Sequence, residues 1–490
     1  MSEIFLYVQA VGKFPDIGNA RYKWLRLSWV CRHWRNVALR FQLLWTSIEA
    51  SNIEIAETFL QRSGTAPVDF HLSSMFKPVD MMNVSNYIDM IARHATHISH
   101  LSGEILDRDA MKRFVDEVGS IPFSNLRRLE LCMLRDDFGF GSPSEILHPF
   151  KFRHPQRDAH LRVLKLNHIA FDWKPLSGTH LRHLILRNDR HKPCSYPSTD
   201  DFVNVLESCT QLEEIRLHWQ GPALGSHPSR AVKLNNLRHL SVQNSPLVIA
   251  HILTHIDCPA FTKIQLFCEL DEHFSSLGQI LPRSNSLKVL PTITDVSVEE
   301  TYEAGRQPNW PWHAQSMRVE CSGDHDGELE IVLKLADERF VDWNVFSAMV
   351  FRSLTALLSL SPVKEINIRS SYTNFTQQDW YTVLAYYSST LKHLILDYEH
   401  DEAEESAILT VLDLLGAPQD ETEPPICPNL IALHLAGVTG GLNYARAVTD
   451  CIRSRFERGY KFSYLHISPP VVWCGNGRWE RPDLAQFVVK

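Results

Sequence analysis

The chain has 490 residues, 44% hydrophobic and 22% charged, with 49 basic against 57 acidic side chains and a formal charge of -8. This is the composition of a folded protein with a large core; it excludes a small disulfide-stapled fold, a disordered polymer and any general attraction to nucleic acid or anionic membrane. The ten cysteines are spread singly, none at zinc-site or redox-motif spacing, and no stretch reads as a secretory signal or a membrane span, so a reducing compartment, cytoplasmic or nuclear, is expected.

Residues 1–48 have a texture of their own: seven basic side chains against two acidic ones, and four tryptophans, Trp24, Trp29, Trp34 and Trp45. Apolar residues at Leu27, Val30, Trp34, Val37 and 39–41 recur at helical spacing, which predicts one amphipathic helix over about residues 22–39. Periodicity alone makes it an amphipathic helix packing on the first repeat. The string Trp24-Leu-Arg-Leu-Ser-Trp-Val-Cys-Arg-His-Trp-Arg-Asn-Val-Ala-Leu39, followed by Leu43-Leu-Trp45, resembles the second half of an F-box, and Ser2-Glu-Ile-Phe-Leu-Tyr-Val8 resembles the end of that motif's first helix. The stretches Trp45–Glu49 and Phe59–Asp69 look like the linker found in F-box families of mushroom-forming fungi. The opening Leu-Pro of the motif is absent, so the resemblance implies a module truncated at its N-terminus, and residues 9–21 are longer than the usual turn. It also implies a partnership with a Skp1-type adaptor of a cullin-RING ubiquitin ligase, with Ile4, Phe5, Leu6, Val30, Cys31, Trp34 and Trp45 at the matching positions. Some of these must hold the module's own core, a division the sequence does not make. Residues 49–94 are expected to be a connecting segment.

From residue 95 onward one phrase recurs: Asn125-Leu-Arg-Arg-Leu-Glu-Leu131, His160-Leu-Arg-Val-Leu-Lys-Leu166, His180-Leu-Arg-His-Leu-Ile-Leu186, Asn236-Leu-Arg-His-Leu-Ser-Val242, Thr390-Leu-Lys-His-Leu-Ile-Leu396 and Asn429-Leu-Ile-Ala-Leu-His-Leu435. Average leucine usage gives such a frame about once in this length. Weaker copies lie at 212–217, 261–266, 363–368 and 462–467, with degenerate ones at Ile98 and Leu287. Copies fall mostly 20 to 39 residues apart, room for a strand, a helix and two turns. Helices are predicted at about 202–209 behind Ser198-Thr-Asp-Asp201, at 342–360, at 380–387 behind the capping box Thr376-Gln-Gln-Asp379, and at 443–458. The wide gap between Leu290 and Val363, with alternating apolar residues on both sides of Gly323 and Gly327, predicts an inserted hairpin near 315–335.

These phrases resemble leucine-rich repeats, with one departure: the Asn or Cys that the family carries three residues after the last leucine is replaced by Leu134, Ile169, Asp189, Ser245, Glu399 and Val438. The expected fold class is therefore α/β. A small all-α F-box-like module (1–48) is followed by an irregular leucine-rich-repeat solenoid (95–490), with parallel strands on one face and helices on the other.

No nucleotide-binding loop, hydrolase elbow or zinc-protease motif occurs, so no enzyme, catalytic residue, cofactor or metal is expected. His94, His97 and His100 are close in sequence but cross a helix-to-strand junction, which sets them apart. The acidic stretch 397–423 reads as a solvated loop, with a basic client segment as the alternative. Trp310, Trp312, Trp473 and Trp479 read as lids over the repeat ends, with partner contact points as the alternative. In a strand the residues between the buried leucines point to the open face, which offers Lys165, Arg187, Arg216, His218, Gln243 and Phe267 for a protein client, alongside the bland reading of a merely solvated surface. The predicted function is a substrate-recognition adaptor of a Skp1-cullin-F-box ligase. The alternative is a repeat scaffold uncoupled from ubiquitination. Neither nucleic acid nor membrane is an expected partner.

Overall fold

The structure is a computed structural model that describes residues 2–11, 20–73, 81–105, 107–133, 150–151, 160–173, 180–188, 197–219, 221–224, 230–270, 274–282, 287–303, 314–323, 326–335, 343–370, 375–398, 403–416, 424–436, 442–468, 473–474 and 477–478. Each of the six leucine phrases runs into a strand whose Leu or Val residues are buried while the residues between them are not, Ser241 of the fourth phrase excepted. Every second residue therefore faces the core, and each fully buried leucine contributes ~1.5–3 kcal/mol. The chain divides into two compact units, Met1–Gly225 and Ser226–Lys490.

The first unit opens with helix α1 (Ser2–Val11), a 3-10 helix (Ala20–Trp29), α2 (Arg32–Arg40) and a short 3-10 turn (Gln42–Trp45). The single helix expected over residues 22–39 is thus broken. Val30 and Cys31 lie between the two pieces, and Cys31 Sγ caps α2 by accepting from the Trp34 N–H at 3.5 Å. Seven parallel strands then follow in sequence order: β1 (Ser47–Glu49), β2 (Val68–Ser73), β3 (Ile98–Ile105), β4 (Arg128–Met133), β5 (Val163–Asn167), β6 (His183–Arg187) and β7 (Glu214–His218). Parallel neighbours need a crossover between them. Helices α3 (Ile53–Ser63), α4 (Met81–His94) and α5 (Arg108–Val118) supply the first three, and α6 (Thr199–Ser208) links β6 to β7. Segment 49–94 is therefore no connector: it carries β2, α3 and α4 and belongs to the sheet.

In the second unit a two-residue strand β8 (Val232–Lys233) precedes β9 (His239–Asn244), α7 (Pro246–Thr254), a short β10 (Ile256–Asp257) paired with β8, and β11 (Lys263–Leu270). The chain then forms a meander of β12 (Ile293–Glu303), β13 (Ala314–Gly323) and β14 (Glu328–Leu335). The hairpin expected near 315–335 exists but is not an insertion. Strand β14 pairs in parallel with β11, and β12 pairs in parallel with the next repeat strand, β15 (Glu365–Ser370). The order is thus β11-β14-β13-β12-β15, with β13 running against the rest. Tight packing makes the turn glycine-dependent: a Cβ on Gly323 would lie 1.9 Å from the Thr292 carbonyl oxygen, and one on Gly327 2.0 Å from that of Ala260.

After α8 (Trp343–Leu357) the β-α succession resumes through β15, α9 (Gln377–Tyr386), β16 (His393–Tyr398), α10 (Ala403–Gly416), β17 (Ala432–Ala436), α11 (Leu442–Glu457) and β18 (Tyr464–Ser468). Both capping-box bonds of Thr376 and Asp379 form at the start of α9. The acidic stretch, read as a loop, instead contains α10, which buries Ala407, Ile408, Val411, Leu412 and Leu415. Trp310, Trp312 and Trp479 lie outside the described residues, as does the side chain of Trp473.

Two of the phrases carry a tie between successive turns. Asn125 Nδ2 donates to the Thr96 carbonyl at 2.5 Å and Asn429 Nδ2 to that of Ser389 at 2.8 Å, so the first residue of the phrase ties one turn to the turn before it. No described helix is long and apolar enough to cross a membrane.

Candidate interaction surfaces

Two surfaces follow from this architecture: the outside of the N-terminal helical module and the open face of the strands. Among the described residues fifteen large apolar side chains are exposed, and six of them, Ile4, Tyr7, Trp29, Val30, Leu39 and Leu43, fall within residues 2–45. Trp29 is 72% exposed, Tyr7 71% and Val30 63%, far above what a helix keeps when it is fully docked. Exposed apolar side chains gathered in one short segment make it a candidate for partner contact.

The break at Val30 and Cys31 explains which residues are out. Helix α2 turns Trp34, Val37 and Ala38 inward and Leu39 outward, and the preceding 3-10 helix buries Trp24 while exposing Trp29. Of the sequence candidates, Ile4, Val30 and Cys31 are exposed, and Leu6 and Trp34 are half-buried. Phe5 and Trp45 are buried. Phe5 meets the Trp34 ring at 5.6 Å and so builds the module's interior. Trp45 fastens the module to the first repeat helix. Its ring packs edge-on to Trp24 at 5.0 Å and to Phe59 of α3 at 4.8 Å, the Arg62 guanidinium lies over it at 4.4 Å, and its indole N–H donates to the Ala38 carbonyl at 2.9 Å. Phe5 and Trp45 thus belong to the core, a division that the sequence left open among its seven candidates. Trp29 and Leu39 escape a reading that carries one helix phase across Cys31, and exposed Tyr7 and Leu43 lie outside that helix, where no periodicity marks them.

On the open face of the first unit, ion pairs link adjacent strands. Lys165 Nζ reaches Glu130 Oε2 at 3.5 Å, and Arg128 also binds Glu130. Burial raises the Glu130 pKa, but Arg128 and Lys165 outweigh it and hold the carboxyl below its ordinary value. Arg216 Nε donates to Glu214, which also takes His183 Nδ1 at 2.8 Å. Arg187 stands between Asn167 and His218 in register, and no described carboxylate pairs with it. Its Nε is buried without a partner, as is Asn167 Oδ1. Burial, then Arg187 and Arg216, push His218 down to about 4, so it is neutral at physiological pH. Among the described residues Arg187 is thus a cation of this face with no carboxylate partner.

Gln243 and Phe267 belong to the second unit, side by side in register on β9 and β11. Around them His239, Gln265 and Glu330 form a chain of hydrogen bonds at 2.8 and 2.7 Å. Arg318 Nε reaches Glu330 at 3.4 Å.

The three clustered histidines separate only in part: the His94 and His97 rings stand 5.3 Å apart, edge to face. His94 on α4 contacts Glu57, while His100 on β3 stands 4.8 Å from the His71 ring. Among the described residues no group of three or more His, Cys, Asp or Glu side chains is placed to hold a metal ion, and the eight described cysteines are free thiols. The buried thiols are poor nucleophiles, since burial raises Cys321, Cys427 and Cys451 to about 12.

No known protein-family model matches the chain, and no curated protein sequence matches it.

Proposed function

We propose that the chain is a non-enzymatic adaptor: an F-box-like module engages a Skp1-type partner of a cullin-RING ubiquitin ligase, and the leucine-rich β-α repeats select a protein client. The observation that carries this reading is the apolar surface of residues 2–45, with Tyr7, Trp29 and Val30 exposed on a small helical module placed directly ahead of the repeat strands. A surface of this kind fits the helix-in-groove mode, in which one or two aromatic anchors carry most of the energy. Trp29 and Tyr7 have that role here. The module is joined to the repeats through Trp45 and Phe59 rather than by a loose linker, so a partner bound to it holds a fixed bearing on the first repeats. Client selection is assigned to the open strand face, with Arg187 its principal contact in the first unit and Phe267 in the second.

Co-purification of the full chain with a recombinant Skp1-type adaptor tests the reading. Recovery of the complex, lost on Trp29→Ala with Val30→Asp, supports it. A chain that captures no adaptor is a repeat scaffold uncoupled from ubiquitination.

A further inference from the structure

A cleft of about 310 Å³ in the first unit is lined by Arg127, His160, Arg162, His180, Arg182 and Gln211. It arises from the repeat itself. Each arginine is the third residue of a phrase, just ahead of the strand, and the backbone holds the three in line. The Arg127 carbonyl accepts from the N–H groups of Arg162 and Val163 at 2.8 and 3.0 Å, and the Arg162 carbonyl from those of Arg182 and His183 at 2.7 and 3.0 Å. Adjacent strands are ~4.8 Å apart, so three guanidinium stems emerge side by side from neighbouring strands. Three like charges in a row are unfavourable unless something opposes them.

Among the described residues only one is opposed: Arg182 Nη1 binds Glu213 at 3.0 Å, where the next strand brings a carboxylate into the same column. Arg127 and Arg162 form no ion pair with any described residue, and both are exposed. The histidines add a second observation. In the copies at 125 and 429 the first residue of the phrase is an asparagine that bonds to the preceding turn. In the copies at 160 and 180 that place is taken by histidine. Neither His160 nor His180 bonds to a described residue, and both line the cleft. Ring N–H donors and guanidinium forks therefore converge on one hollow, with Glu213 at its end.

We propose that this cleft is an oxyanion site that takes a phosphate monoester carried on a peptide, with Arg127 and Arg162 as its forks and His160 and His180 as flanking donors. Planar guanidinium pairs match phosphate oxygens bidentately. A nucleic acid is disfavoured because no Phe, Tyr or Trp lines the cleft as a stacking platform for a base, and the chain as a whole is acidic. The site does not depend on the N-terminal module and stands apart from the adaptor reading.

The test is calorimetric titration of the full chain with two probes, inorganic phosphate and an otherwise uncharged five-residue peptide carrying one phosphoserine. The phosphopeptide binds, and inorganic phosphate competes with it. Arg127→Gln combined with Arg162→Gln weakens binding by roughly a hundredfold, about tenfold for each charge-assisted contact removed. Arg162→Lys, which keeps the charge and loses the fork, also weakens it. Arg238→Gln, at the same phrase position ahead of β9, changes affinity less than twofold, and circular dichroism shows all variants folded. Any of four results overturns the assignment: no binding of either probe, unchanged affinity in the folded double variant, equal binding when glutamate replaces the phosphoserine, or stronger binding of a single-stranded RNA.

Discussion

Replacing Trp45 with alanine separates the roles that sequence alone merged. The indole is buried against Trp24 and Phe59, lies under the Arg62 guanidinium, and donates to the Ala38 carbonyl. Removing a buried tryptophan to alanine costs ~3–5 kcal/mol through lost burial and the remaining cavity. The lost indole bond leaves the Ala38 carbonyl short of a donor and the cation over the ring without its face, so the upper part of that range is expected, ~4–5 kcal/mol. For a unit of this size each kcal/mol moves the midpoint by about 2–4 °C, which gives a fall of roughly 8–20 °C in the transition assigned to residues 1–225. Differential scanning calorimetry reads it, with limited proteolysis reporting early release of residues 2–45. Trp29→Ala is the control: a 72% exposed side chain should cost no more than about 0.5 kcal/mol. A Trp45→Ala midpoint within about 3 °C of the parent, or equal falls for Trp45→Ala and Trp29→Ala, would refute the assignment of Trp45 to the core.

Gly323→Ala should destabilise the second unit by at least ~2 kcal/mol, because the new methyl falls on the Thr292 carbonyl at 1.9 Å and backbone has to move; urea unfolding of that unit measures it. Arg455, buried beneath the Phe462 ring, donates to the carbonyls of Leu415, Ile426 and Cys427 at 3.3, 3.0 and 2.8 Å. Arg455→Met should cost ~2–4 kcal/mol, since three buried acceptors lose their donor while the apolar stem is kept, and a chemical denaturation midpoint that does not move contradicts this. His218 stays neutral in the fold to about pH 4, whereas in the unfolded chain it protonates near 6.5, so its stabilising contribution is complete above pH 6.5 and is lost as pH falls toward 4. His218→Gln should remove up to ~3 kcal/mol of that acid sensitivity, visible as a flatter profile of first-unit stability between pH 6.5 and 4.

The repeat strands were legible because leucine supplies the inward residue in nearly all of them. The same frame read with Val68, Phe70 and Leu72 in β2, or with Ile48 alone in β1, carries no leucine phrase, so the sheet's first two strands passed for a linker. Strand order in the meander was hidden for a different reason. Alternation fixes that β13 and β14 form a hairpin, but which neighbour each joins is set by tertiary packing around Gly323 and Gly327. Helical periodicity located the apolar residues of the N-terminal module, yet a change of helix type at Val30 and Cys31 shifted the phase and exchanged inside for outside at Val30 and Leu39. The arginine column was present in the quoted phrases themselves. It carries no signal as a site until Arg127, Arg162 and Arg182 are brought into one line by the carbonyl bonds between strands.

The most direct measurement of the central claim is the equilibrium affinity of the full chain for a purified Skp1-type adaptor, measured alongside a Trp29→Ala/Val30→Asp variant shown to be folded. The adaptor account requires binding at micromolar affinity or better that the variant loses by at least about a hundredfold, as expected when an exposed aromatic anchor is removed and a charge is placed beside it. Undetectable binding by the parent chain, or equal binding by the folded variant, would contradict it.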